Sequence, residues 1–244
     1  MKYINERILS ELGVDWRSLL RVIEKATALI VDNDIRQPLK PYLRFGNPAN
    51  RIIAMPAYLG GEFNTAGIKW IASFPGNITK RIKRAHSVIV LNDTETGVRT
   101  TVINTALISG IRTASVSGFV LKKYLQCNKV RQLHCGIIGF GPIGQLHLQM
   151  LQQCFGHLVS KFYIYDIRPL QKHLDAQYLE ENNIELCNSW EEVFEKSNLF
   201  ITCTVSKERY VNRMPKKGGI YLNVSLRDFH TDFLKYVDVN VVDN

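Results

Sequence analysis

Apolar positions recur at helical spacing through the first 33 residues, where Val14-Asp15-Trp16-Arg17-Ser18 opens a segment carrying Leu19, Leu20, Val22, Ile23 and Ala26 to Ile30. The pattern predicts a substantially buried helix. The texture then changes: Pro38, Pro41, Pro48 and Pro56 punctuate short extended pieces, among them 51–56 and 66–71, as turn and strand signals do. Residues 87–92 and 98–103, on either side of the Asp93-Thr94-Glu95-Thr96-Gly97 turn, predict a hairpin. From Asn104 to Leu125 the helical period returns, with Ala106, Ser109, Gly110, Ala114, Ser115 and Ser117 small enough for close packing.

Past this helix, apolar runs and helical stretches alternate. Strands are predicted at 133–138, 162–166, 184–187, 199–205, 220–225 and 239–243. A helix is predicted from Gln145 to Phe155, closed by Gly156, and another opens on Ser189-Trp190-Glu191-Glu192 with capping-box spacing. This alternation predicts an α/β chain: a Rossmann-type doubly wound parallel sheet, preceded by an N-terminal mixed α+β domain with antiparallel strands. The boundary is expected at residue 112, giving domains 1–112 and 113–244.

Inside the alternation, the run from Gly136 to Gly144 reads as a buried strand that breaks into a glycine turn and then a helix. Gly139, Gly141 and Gly144 have G-x-G-x-x-G spacing: one for the tight turn, one for approach to a pyrophosphate, one for close helix-on-strand packing. Phe140, Pro142 and Ile143 belong to the same candidate cofactor-binding turn, and Pro142 suits a first helical turn. Asp166 falls at the end of the next strand, where a carboxylate accepts ribose hydroxyls and disfavours a 2′-phosphate, so the expected cofactor is NAD. Arg168 keeps NADP open, and a plain structural turn is the other reading of the glycines. In such a sheet ligands lie over the carboxyl ends of the strands. Thr202, Cys203 and Thr204 at one end, and Asn223 and Ser225 at another, are therefore candidate cofactor contacts, or else polar residues where strands meet solvent. Asp228 follows at the expected start of a helix, where capping is available to it.

Composition narrows the partners. The 244 residues, 45% of them apolar, make one large or two modest domains. Cys127, Cys135, Cys154, Cys187 and Cys203 form no C-x-x-C pair, and the Cys154–His157 spacing lacks a second pair. They read as reduced thiols of a cytoplasmic protein, with no metal site expected. No signal-like or membrane-spanning apolar run occurs, so no membrane is expected. The net charge of +9 comes from 31 basic and 22 acidic residues without a basic helical stripe, and Lys80-Arg81-Ile82-Lys83-Arg84 reads as a solvated face. This pattern favours a small polyanion carrying several carboxylates over nucleic acid.

Lys69 in Gly67-Ile68-Lys69-Trp70, the Asp93–Gly97 turn, Ile111-Arg112-Thr113-Ala114, the glycine motif, the Thr202–Thr204 strand end and Asp228 together resemble the ornithine cyclodeaminase/mu-crystallin family over nearly the whole chain. Gln37-Pro38-Leu39-Lys40-Pro41-Tyr42-Leu43-Arg44 with Arg51-Ile52-Ile53-Ala54-Met55-Pro56 is similar to its branch that makes 2,3-diaminopropionate for siderophores and related products. The resemblance implies NAD-dependent oxidation of the secondary amine of N-(2-amino-2-carboxyethyl)-L-glutamate, then hydrolysis to 2,3-diaminopropionate and 2-oxoglutarate. It implies that residues 1–112 bind this amino-dicarboxylate substrate and form a homodimer, while 113–244 bind NAD. Arg44, Lys69 and Arg112 would bind substrate, Lys69 and Asp228 would be catalytic, and Thr113 would join the cofactor contacts.

Each has a plainer reading: Arg44 as a surface arginine, Lys69 snorkelling from a strand edge, Arg112 paired with a carboxylate or serving the cofactor phosphates, Asp228 as a helix cap. Ile53 stands where cyclodeaminases of the family carry an acidic residue, which favours the dehydrogenase branch over ornithine cyclisation. Cyclodeaminase, ketimine reductase and non-catalytic crystallin-like binding are the competing activities. Family members also run on well beyond the last expected strand, which would make this chain a shortened relative.

Overall fold

A computed structural model describes residues 1–172 and 174–242. The chain divides into two compact units, Met1–Arg112 and Thr113–Asn244.

The first unit opens with strand β1 (Lys2–Asn5), helix α1 (Glu6–Leu12) and helix α2 (Trp16–Val31), then strands β2 (Ile35–Arg36), β3 (Tyr42–Leu43), β4 (Arg51–Leu59), β5 (Thr65–Ser73), β6 (Ala85–Asn92) and β7 (Arg99–Asn104). They form one mixed sheet in the order β1-β7-β6-β5-β4-β2, with β3 also on β4. Strands β4 to β7 make successive antiparallel pairs, whereas β1 joins β7 in parallel. The hairpin turn is held by Asp93 Oδ1, which accepts the Thr96 amide at 2.8 Å.

Two expectations for the N-terminus change. Residues 2–5 are a strand, paired in parallel with β7, and the helix starts only after Asn5, whose Oδ1 accepts the Ile8 amide at 3.0 Å, as a capping side chain does. Helix α2 starts on Asp15, whose side chain accepts the Ser18 amide, but it buries only Trp16 and Leu20. Its apolar stripe is wider than the unit covers, and Val31 is 87% exposed.

Helix α3 (Leu107–Cys127) spans the boundary between the units. The second unit continues through β8 (Leu133–Ile138), α4 (Pro142–Phe155), β9 (Val159–Tyr165), α5 (Ala176–Glu181), β10 (Ile184–Leu186), α6 (Trp190–Lys196), β11 (Leu199–Thr202) and β12 (Ile220–Asn223). All its strand pairs are parallel, in the order β10-β9-β8-β11-β12. This is the doubly wound order 3-2-1-4-5, with the switch point between β8 and β11, and the expected fold class holds. Every residue of β11 is buried, as befits an inner strand of a sheet covered on both faces. Phe194, Phe200, Phe229 and Phe233 fill one side of the core, with Tyr221 packed against them.

Gly156 caps α4 as expected but in right-handed helical conformation, its amide donating to Gln152. Ser189 caps α6 by accepting the Glu192 amide, while the Glu192 carboxylate accepts the Asn188 amide, one residue before the usual capping-box partner. Strands β11 and β12 stop at Thr202 and Asn223, short of 205 and 225, because Thr204 and Ser225 turn inward onto a carboxylate described below. No helix begins at Asp228: the chain turns there and enters a 3₁₀ segment at Thr231–Tyr236. Residues 239–242 of the expected last strand are not a strand, and Asp243 lies outside the described residues. All five cysteines are free, and no helix among the described residues is long and apolar enough to cross a membrane.

Candidate functional site

The carboxyl ends of β8 and β11 meet at the glycine turn. Gly139 has φ +85°, a conformation open to glycine, and a Cβ placed there would lie 3.0 Å from the Cys203 backbone. At Gly144 a Cβ would lie 2.2 Å from the Gly139 carbonyl oxygen, so α4 can approach β8 this closely only without a side chain. Gly141 is the N-cap of α4 and Pro142 its first residue, so no side chain answers the amides of the first turn. A Cβ added at Gly141 would meet nothing nearer than the Arg168 guanidinium, at 3.9 Å. Free amides, the positive end of a 14-residue helix and open space above a glycine suit a pyrophosphate, so these residues fit a dinucleotide. Phe140 is buried and Ile143 half-buried within the same turn.

Asp166 follows β9 directly. Its Oδ2 accepts the Phe140 amide at 2.8 Å and the terminal nitrogen of Arg168 at 2.7 Å, while its Oδ1 accepts the Arg168 amide and Nε, both at 2.9 Å. The Asp166 side chain is 5% exposed and that of Arg168 61%. Burial alone would raise the Asp166 pKa, but the Arg168 bonds and the Phe140 amide outweigh it and hold the carboxyl below its usual range. The Asp166 carboxylate and the glycine turn are thus tied together by one hydrogen bond.

Asp228 is fully buried and accepts hydrogen bonds from the Thr204 and Ser225 hydroxyls. It caps no helix; instead it sits where the segments after β11 and β12 converge. Thr202 is buried, with Oγ1 3.5 Å from the Asn223 side chain. Burial, then the charge of Asp228, pushes the Cys203 thiol above its usual range. Tyr210 is raised by the same two causes in the same order, with the Thr204 hydroxyl acting against them. Sequence reasoning missed His147, fully buried on α4. Its Nδ1 lies 2.8 Å from the Ile143 carbonyl and its Nε2 2.9 Å from Ser117 Oγ, so Nδ1 carries the proton and the serine donates. Burial lowers its pKa to about 4. The i, i+4 placement of His147 after Ile143 was visible in the sequence, but nothing there marked it as buried. Thr113, half-buried, stands in the second turn of α3.

In the first unit, Lys69 stands mid-strand on β5 between Met55 and Ile89. Burial, then the positive charges of Arg112 and Lys40, holds its ammonium below the usual lysine range. Lys40 is a second omission of the sequence reading, since it is drawn into this group by the fold alone. Neither lysine forms an ion pair among the described residues. Arg44 is exposed, reaches the Pro48 carbonyl at 3.4 Å and lies over the Tyr42 ring at 5.3 Å. A half-buried ammonium set beside the half-buried Lys40 and the exposed Arg112 is suited to a ligand with several carboxylates.

The chain matches the Ornithine cyclodeaminase/mu-crystallin family over residues 4–238. It is 35% identical to the N-((2S)-2-amino-2-carboxyethyl)-L-glutamate dehydrogenase of Staphylococcus aureus (strain NCTC 8325 / PS 47), in an alignment covering 100% of this chain and 75% of that protein. Among solved structures, an archaeal alanine dehydrogenase dimer with bound NAD is 26% identical with a TM-score of 0.73, over 86% of this chain and 62% of that one. The Δ1-pyrroline-2-carboxylate reductase of Thermococcus litoralis, in complex with NADH and L-proline, shares the fold with a TM-score of 0.75 at 24% identity, over 86% of this chain and 64% of that one. The chain therefore spans less than two thirds of the length of either solved protein.

Proposed function

The chain belongs to the ornithine cyclodeaminase/mu-crystallin family, and from that premise we propose that it is an NAD-dependent oxidoreductase that cleaves N-(2-amino-2-carboxyethyl)-L-glutamate to 2,3-diaminopropionate and 2-oxoglutarate. The observation that carries this reading is the 35% identity, along the whole chain, to the Staphylococcus aureus dehydrogenase of that substrate. The group of Lys69, Lys40 and Arg112 supports it, because the substrate carries three carboxylates.

NAD, held at the glycine turn and Asp166, would supply the acceptor for the hydride that leaves the substrate's glutamate α-carbon. The remaining work falls to the chain. Asp228 takes the proton from the secondary amine and releases it to solvent, then takes one from the water that adds to the substrate's C=N carbon and hands it to the nitrogen; the adduct's hydroxyl proton follows to the nitrogen as the C–N bond breaks, giving ketone and primary amine. Thr204 and Ser225 hold the carboxylate in one orientation. Lys69 and Arg112, with Arg44 as a further contact, position the substrate carboxylates. Asp166, the glycine turn, Thr113, Thr202, Cys203, Asn223 and Ser225 form the cofactor side. In this reading the protein works in the cytoplasm as a homodimer through its first unit, supplies siderophore or related biosynthesis, and has no nucleic-acid or membrane partner.

The test is NADH formation on mixing protein, NAD and this substrate, with both products identified by mass. Formation of the pair is expected. NADH formed instead from alanine would favour the activity of the archaeal relative, and ammonia released from ornithine a cyclodeaminase; binding of NADH with no turnover of any amino acid would overturn the enzymatic reading.

A further inference from the structure

Asp166 has no lone pair to spare. An ionised carboxylate offers about four acceptor positions, and here the Phe140 amide, the Arg168 amide, Arg168 Nε and the Arg168 terminal nitrogen supply four donors. Two of these bonds come from backbone and stay with the fold. The other two come from one exposed side chain, which also hangs over the glycine turn, 3.9 Å from where a Gly141 Cβ would stand. Ribose hydroxyls can therefore reach Asp166 only if the Arg168 side chain lets go.

We propose that Arg168 is a specificity-determining residue that competes with the ribose for Asp166 and, once displaced, offsets the carboxylate's repulsion of a 2′-phosphate, so that the chain binds NADPH as well as NADH. The proposal rests on the reading that this crevice takes a dinucleotide. It makes two effects of one side chain opposite in sign. Removing it frees two acceptor positions for NADH, whereas NADPH loses a compensating charge beside Asp166.

The experiment is fluorescence titration of the full chain with NADH and with NADPH, for wild type, Arg168→Ala and Arg168→Lys. Wild type is expected to bind both within about tenfold of each other. Arg168→Ala should bind NADH about fivefold tighter, the scale of an exposed ion pair, and NADPH about tenfold weaker, the scale of a charge-assisted contact to phosphate. Arg168→Lys, which keeps the charge but cannot make the two-point contact, should tighten NADH and hold NADPH within about threefold of wild type. Parallel shifts of both dinucleotides in Arg168→Ala, or a wild type that discriminates by about a thousandfold, would overturn the proposal while leaving dinucleotide binding intact. A folded wild type that binds neither would overturn the dinucleotide reading itself, and this inference with it.

Discussion

The two units treat charge in opposite ways. In the second, Asp166 has four donors around it and Asp228 two hydroxyls, so each buried carboxylate is answered by the protein. In the first, Lys69 is withdrawn from water and faces Arg112 and Lys40, charges of its own sign. A buried charge with full hydrogen bonding is finished structure, whereas one set beside like charges is an uncompensated cost that an anion relieves. The carboxylates of the second unit are thus held in place by the protein itself, whereas Lys69 is left to gain from a bound anion.

The sharpest way to break this comparison is at the finished end. Asp228→Asn keeps an acceptor for Thr204 or Ser225 but removes the base; turnover should fall by about 10²–10⁴ while NADH affinity, read by fluorescence, stays unchanged. Undiminished turnover would leave Asp228 a structural anchor only. At the unfinished end, Lys69→Ala should raise KM for the tricarboxylate by about 10–100-fold with a smaller change in kcat, and an unchanged KM would remove Lys69 from substrate binding.

A third test asks whether burial in the second unit is as complete as its hydrogen bonds suggest. His147 is neutral in the folded state down to about pH 4, while in the unfolded chain it titrates near 6.5. Its contribution is therefore intact above pH 6.5 and is lost as the pH falls toward 4, at most about 3 kcal/mol. Urea denaturation across that range should show the loss in wild type and a flatter profile in His147→Gln. The smallest effect is expected from Lys40→Ala. With one like charge gone, Lys69 keeps its proton to higher pH, so the alkaline limb of kcat/KM should move upward; an unmoved limb would mean that Lys40 is too well screened to matter.

The same division governs what could be read from the sequence. The glycine turn and Asp166 were legible because their chemistry depends on local spacing: a strand, a turn, a helix and the next strand's end. The parallel sheet followed from the alternation past residue 130. Lys40 was not legible, since only the path of the chain between β2 and β3 carries it to Lys69. Nor was the termination of β11 and β12 before 205 and 225, which depends on Thr204 and Ser225 finding the same carboxylate from segments 21 residues apart (225 minus 204). Asp228 is expected at a helix start but lies in a turn, because an acidic residue after a turn looks the same in sequence whether it caps amides or collects hydroxyls. Strand β1 escaped for a related reason. Four residues with no local partner carry almost no periodic signal.

That strand has a consequence for synthesis. Lys2 pairs with Thr101, so residues 2–5 leave the ribosome 99 residues ahead of the strand that seats them. At cellular elongation rates the interval is roughly 5–20 s, during which Tyr3 and Ile4 have no edge to join. The edge of the first sheet is therefore closed by a segment made early and placed late, and the nascent chain carries it unattached while β4 to β7 assemble.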